Sequence, residues 1–230
     1  MTVMISLLLS AIGVGFLVGF RHAFEPDHLA AVTTLATHDG GLRRAARLGV
    51  SWGVGHTLSV GLVALVLIAL GVQVPDRFYA TAELGVALML LVLGVGSIVA
   101  ESRRHRSSQG RPHRLAHDQM AHHHHVAVGS GFKAQLRALG FGVLHGLAGS
   151  GAVIVLIIAA APSARDRTFY LLAFGVGTVA GMSLVSALSG ATTSVVGRRH
   201  ATAVHYLRLG AAMLSVVVGL MLGGGVIREW

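Results

Sequence analysis

The 230-residue chain contains no cysteine. That absence excludes disulfides, thiolate metal sites, iron–sulfur clusters and any dithiol relay. Charge is scarce as well: 12% of residues are Asp, Glu, Lys or Arg, against about a quarter in a soluble protein. With a mean hydropathy of +0.72, so few charges exclude an ordinary soluble domain and any disordered or fibrous class. Aromatic residues make up only 6%, and the apolar residues come in long runs, which argues against a β-barrel. The net charge of +9 does not point to a nucleic-acid partner. The arginines lie between the apolar runs, where they set orientation in a bilayer.

What is abundant is hydrophobic sequence (53%) and glycine (31 residues). A spanning helix needs about 20 apolar residues, and six stretches are of that order: 10–36, 48–72, 80–100, 136–161, 168–195 and 203–227. The chain therefore reads as an all-α polytopic membrane protein of about six transmembrane helices, with membrane lipid as its surroundings. Residues 1–9 are apolar too and extend the first helix; they lack the charged lead and cleavage site of a signal peptide. Short polar turns such as 38–41 and 161–163 separate the spans. The exception is 101–132, rich in Arg, His, Ser and Gly, which is too polar to pack a core and reads as a flexible loop.

The basic residues set the topology. The connections after the first, third and fifth spans carry thirteen Lys and Arg, from Arg43 to Arg208, while the opposite side carries only Arg77, Arg165, Arg167 and Arg228. Both termini are expected outside and the His-rich loop in the cytoplasm of a cell-membrane protein. Arg21 belongs to neither side and falls within the first span.

The chain also repeats itself. Gly19-Phe20-Arg21-His22 matches Gly142-Val143-Leu144-His145, Trp52-Gly53-Val54-Gly55 matches Phe174-Gly175-Val176-Gly177, and Leu84-Gly85 matches Leu209-Gly210, at offsets of 123, 122 and 125. With three spans per half, the second half must be inverted. The organisation is a first three-helix repeat (1–100), the His-rich loop (101–132) and a second three-helix repeat (133–230). Inverted repeats are characteristic of transporters, whose sites lie near the midplane on interrupted helices.

The chemistry concentrates in Arg21-His22-Ala23-Phe24-Glu25-Pro26-Asp27-His28. The repeat places this segment at mid-membrane, where each unpaired ionisable group costs several kcal/mol. Pro26 lacks the N–H that would bond the His22 carbonyl, so the first helix is expected to break there and leave that carbonyl free. On a straight helix His22, Glu25 and His28 follow one another at i, i+3 and i+6 while Asp27 points away; a break can swing Asp27 round to join them. Imidazoles and carboxylates without sulfur suit Ni²⁺, Co²⁺ or Zn²⁺ better than Mg²⁺ or Ca²⁺. His56 and His145 are the further buried histidines, each beside glycines that let helices approach closely, and are expected to complete or gate the metal site formed by His22, Glu25, Asp27 and His28. The loop histidines, His105, His113, His117 and His122 to His125, either concentrate or sense ions or belong to a solvated linker.

The His22-x4-Asp27-His28 pattern is similar to the His-x4-Asp-His signature of the nickel/cobalt permease family. Residues 21–32, 51–57 and 145–150 resemble its urease-accessory-type nickel transporter branch, with the spans matching in order. The resemblance implies a permease for Ni²⁺ or Co²⁺, with His22, Asp27 and His28 as essential binding residues and no resident cofactor. Glu25 stands where members with established uptake often have Asp, those members are usually longer, with eight spans, and the His-rich loop resembles the efflux branch. Uptake is the direction the membrane potential favours. A divalent ion entering a cell at about −100 mV gains about 4.6 kcal/mol, 2.3 for each charge. Two other classes compete. Membrane histidines could ligate haem in an electron carrier, although haem has no need of an acidic, proline-broken segment. An intramembrane metalloprotease ranks last, for want of His-Glu-x-x-His.

Overall fold

The computed structural model describes residues 2–39, 41–70, 76–109, 128–149 and 163–229. These form seven helices: α1 (Thr2–His22), α2 (Pro26–Asp39), α3 (Leu42–Leu70), α4 (Asp76–Gln109), α5 (Val128–Gly149), α6 (Ala164–Arg199) and α7 (Ala201–Glu229). Four of them, α3, α4, α6 and α7, are long and apolar enough to cross a bilayer, and α1 with α2, bent by 62° at the break, is apolar enough for a fifth broken span or a re-entrant pair. The sixth expected stretch, 136–161, is described only to Gly149; its remainder lies outside the described residues. The architecture is all-helical and multi-pass.

The bundle is built for lipid. Buried positions are dominated by small residues such as Ala30, Ala31, Ala45, Ala87 and Ala212, whereas Leu58, Leu62, Leu172, Val176, Leu220 and Met221 point outward. Lipid is as apolar as leucine, so nothing drives leucine inward. Close van der Waals packing and interhelical hydrogen bonds hold the helices instead, and small residues permit both.

The close approaches recur in pairs. A methyl group built on Gly19 of α1 would run into the Phe174 carbonyl of α6, and one on Gly142 of α5 into the Trp52 carbonyl of α3. Gly177 lies on Phe16 of α1 as Gly55 lies on Leu139 of α5, and Gly94 on Ala212 as Gly219 lies on Ala87. Thus α1 packs on α6 as α5 packs on α3, while α3 with α6 and α4 with α7 pair across the centre.

The break after α1 differs in one detail from the sequence expectation. The helix bends at Pro26, but the His22 carbonyl is not left free: it accepts the Glu25 N–H at 3.0 Å, as the Arg21 carbonyl accepts the Phe24 N–H at 2.9 Å. Tighter i→i+3 turns satisfy the carbonyls that proline would orphan. A second difference concerns the expected loop at 101–132. Helix α4 continues to Gln109 and α5 begins at Val128, so Glu101 and His105 are helical. His113, His117 and His122 to His125 lie outside the described residues.

Candidate functional site

The break brings five side chains from four helices together. Helix α1 ends on His22, the first turn of α2 supplies Asp27 and His28, α3 supplies His56 and α5 supplies His145. None of the four histidines is more than 4% exposed. Their rings press on one another: centroids lie 4.4 Å apart for His22 and His28, 4.2 Å for His28 and His145, and 5.0 Å for His28 and His56. His28 is the hub.

Hydrogen bonding determines which nitrogens carry protons. Asp27 accepts from two imidazoles, His145 Nε2 at 2.8 Å and His28 Nδ1 at 3.1 Å, one on each carboxylate oxygen. A neutral imidazole has one N–H, so the opposite nitrogens, His28 Nε2 and His145 Nδ1, present bare lone pairs. Both are buried and have no hydrogen-bond partner. Glu25 Oε2 lies 3.0 Å from His22 Nδ1 and attracts that ring's proton, though without aligned hydrogen-bond geometry. His22 Nε2 and His56 Nε2 share one hydrogen bond at 3.2 Å, so whichever ring donates has its Nδ1 bare, and that is the third buried lone pair. Each such orphan costs about 1–3 kcal/mol where nothing answers it. Three lone pairs held at that cost, each on a ring whose other nitrogen is already engaged, are what a cation would relieve. A carboxylate that engages the far nitrogen of an imidazole also fixes its orientation and basicity toward a metal.

Two donor groups are close enough to hold one ion: His22, His28 and His56, and Asp27, His28 and His145, with ligand atoms within 4.8 Å in each. Glu25 belongs to neither. Its side chain is 53% exposed, so it stands at the outer edge of the break rather than among the imidazoles.

Two neighbours were not foreseen as part of the site. Trp52 is buried with its ring 5.7 Å from His145, and Phe174 is buried with its ring 5.4 Å from His22. They occupy matching positions in the repeat and back matching histidines, so the repeat itself carried the signal. Apolar walls exclude water, which strengthens every electrostatic interaction within.

Comparison with known proteins agrees with this chemistry. The NicO family, described as "High-affinity nickel-transport protein", matches residues 8–227. The chain is 32% identical over 192 residues to "Urease accessory protein UreH" of Bacillus sp. (strain TB-90), covering 84% of this chain and 81% of that one. It is 26% identical over 218 residues to "Chloroplast protein FOR GROWTH AND FERTILITY 1" of Arabidopsis thaliana, covering 90% of this chain and 56% of that one. No solved structure matches it. A match running from α1 to the end of α7, on a multi-pass helical bundle, leaves one assignment: the chain belongs to the NicO family of nickel-transport proteins.

Proposed function

We propose that this protein is a permease for Ni²⁺ or Co²⁺, with Zn²⁺ a poorer substrate, and that the ion binds at the break between α1 and α2. The observation that carries this reading is the gathering of four buried imidazoles from α1, α2, α3 and α5, two of them bonded to the Asp27 carboxylate, with three lone pairs left unanswered. His22, His28, His56 and His145 are the imidazole donors. Asp27 supplies negative charge and fixes two of the tautomers, and Glu25 receives the ion at the exposed edge. Nitrogen donors with a single carboxylate suit Ni²⁺ and Co²⁺.

The paired close approaches at Gly19 and Gly142, Gly177 and Gly55, and Gly94 and Gly219 support two inverted three-helix repeats and six spans. An inverted repeat provides two nearly equivalent arrangements of one bundle, which is what alternating access requires. The excess of arginine on one side supports a cytoplasmic His-rich loop with both termini outside. The membrane potential supports uptake over export. A haem carrier has no support in this geometry. Axial imidazoles stand on opposite faces of a macrocycle, whereas these rings pack against each other.

The test is transport in vesicles of purified protein, offered Ni²⁺, Co²⁺, Zn²⁺ and Mn²⁺ with and without imposed voltage and pH gradients. Saturable Ni²⁺ or Co²⁺ entry that rises with an inside-negative potential is the expected result. Absence of metal flux under every gradient would sink the proposal.

A further inference from the structure

A second buried polar cluster centres on Glu101. It lies near the end of α4 and is 5% exposed, an unusual place for a carboxylate. Its Oε1 accepts from His205 Nδ1 of α7 at 3.0 Å. Its Oε2 has no hydrogen bond and is held by charge alone, 3.6 Å from Arg208 and 4.0 Å from Arg104. His105 stacks on His205 with ring centroids 4.9 Å apart. Arg208 in turn donates through Nε to the Thr37 carbonyl at 3.0 Å, in the last turn of α2. One turn earlier, Thr34 and Ser215 join α2 to α7 through hydroxyls 2.8 Å apart, both fully buried.

Helix α2 is therefore a rod with a different task at each end. Asp27 and His28 sit at its start, and ten residues later, about 15 Å along the axis, Thr37 is clasped to α7 and, through Arg208, to Glu101 of α4. Among the described site residues Asp27 and Glu25 are the exposed ones, with side chains 19% and 53% exposed. An ion that enters past Glu25 must leave elsewhere. Release on the other side requires α2 to move, and moving it away from α7 breaks both the Thr34–Ser215 contacts and the hold of the Glu101 cluster on Thr37. Its contacts are unequal: Arg208 holds Thr37 and His205 holds Glu101 by hydrogen bonds of 3.0 Å, whereas Glu101 meets Arg208 only as an ion pair at 3.6 Å, the weakest of the three.

We propose that Glu101, His205 and Arg208 form a gate that clasps the end of α2 at the Arg-rich face and must open for a bound ion to be released. This rests on the transporter reading above, although not on which side chains ligate the ion. Glu101 is a positioning residue that acts through Arg208.

The cysteine-free chain makes the test direct. Thr34→Cys with Ser215→Cys puts two sulfurs where the hydroxyls nearly touch, within reach of a bond of about 2.05 Å. In proteoliposomes the oxidised variant should lose Ni²⁺ transport by about tenfold or more and regain it on reduction, while calorimetry shows Ni²⁺ binding throughout. In a second experiment, the buried Ala36 is changed to cysteine and its thiol labelling compared with and without Glu101→Gln. Labelling should rise about tenfold with Gln, the effect of losing one charged hydrogen bond. Arg208→Ala should act alike, and the double variant should add little. A fully cross-linked protein that transports at the wild-type rate, or labelling indifferent to Glu101→Gln, would overturn the gate alone. A wild-type protein that neither binds nor moves Ni²⁺ would overturn the transporter reading and the gate with it.

Discussion

The two ends of α2 are both buried and both polar, yet they are satisfied to different degrees. At Asp27 and His28 the rings are oriented and their outward nitrogens left bare. At Thr37 the backbone carbonyl, Arg208, Glu101 and His205 answer one another nearly completely. Burial is thus a poor guide to function in this molecule. The unanswered donor set is the candidate for a ligand, and the answered set is the candidate for holding a conformation. The two can be separated experimentally.

The largest effects belong to the unanswered end. His22→Ala, Asp27→Ala and His28→Ala should each abolish Ni²⁺ transport and calorimetric binding while membrane insertion, followed by fractionation, is unchanged. His56→Ala and His145→Ala should be severe. Normal transport by the His22 and His28 variants would reduce the cluster to a packing device and erase the contrast between the two ends.

At the answered end the damage should fall on stability instead. Glu101→Leu takes the carboxylate away from His205 and Arg208, and losing a hydrogen-bond partner at a part-buried site costs about 1–3 kcal/mol. The midpoint of thermal unfolding in detergent should fall clearly, with Ni²⁺ affinity within about threefold of wild type, since affinity depends on groups about 15 Å away. A parallel collapse of affinity would show that the two ends do not act separately.

A control that touches neither end comes from the helix crossings. Gly19→Ala and Gly142→Ala would each drive a methyl group into a backbone carbonyl of the facing helix, whereas Gly13 has open space around it. Overpacking costs about 1–3 kcal/mol, so the first two should lower thermal stability by similar amounts and Gly13→Ala should not. Unequal effects at Gly19 and Gly142 would count against the equivalence of the two halves.

How much of this the sequence disclosed follows from the range of each interaction. The break at Pro26 was legible because proline acts on its own helix, and the gathering of His22, Asp27, His28, His56 and His145 was legible because the repeat pairs the spans that carry these residues. The fate of the His22 carbonyl was not, since two competing local turns differ by less than sequence can rank. Glu101 was misplaced in a loop for a related reason: Arg103, Arg104 and Arg106 beside it read as solvated sequence. Its partners, His205 and Arg208, lie a hundred residues away. A helix of 34 residues is about 51 Å long and outruns a hydrocarbon core of about 30 Å, so its polar end can stay helical and still meet α7.

The smallest effect is expected from the loop. His113, His117 and His122 to His125 form a run of possible donors, and a simpler account would make them the transport site. The bundle argues otherwise, because it already holds four imidazoles whose positions are set by helix packing. Deleting 113–125 should therefore leave saturable Ni²⁺ transport at a similar maximal rate, with at most a few-fold rise in the half-saturating concentration if the loop gathers ions beforehand. The measurement is initial rate against Ni²⁺ concentration in proteoliposomes of fixed orientation. Complete loss in a correctly inserted deletion variant would move the site from the break in α1 and α2 to the loop, and the contrast between the ends of α2 would then have no bearing on transport.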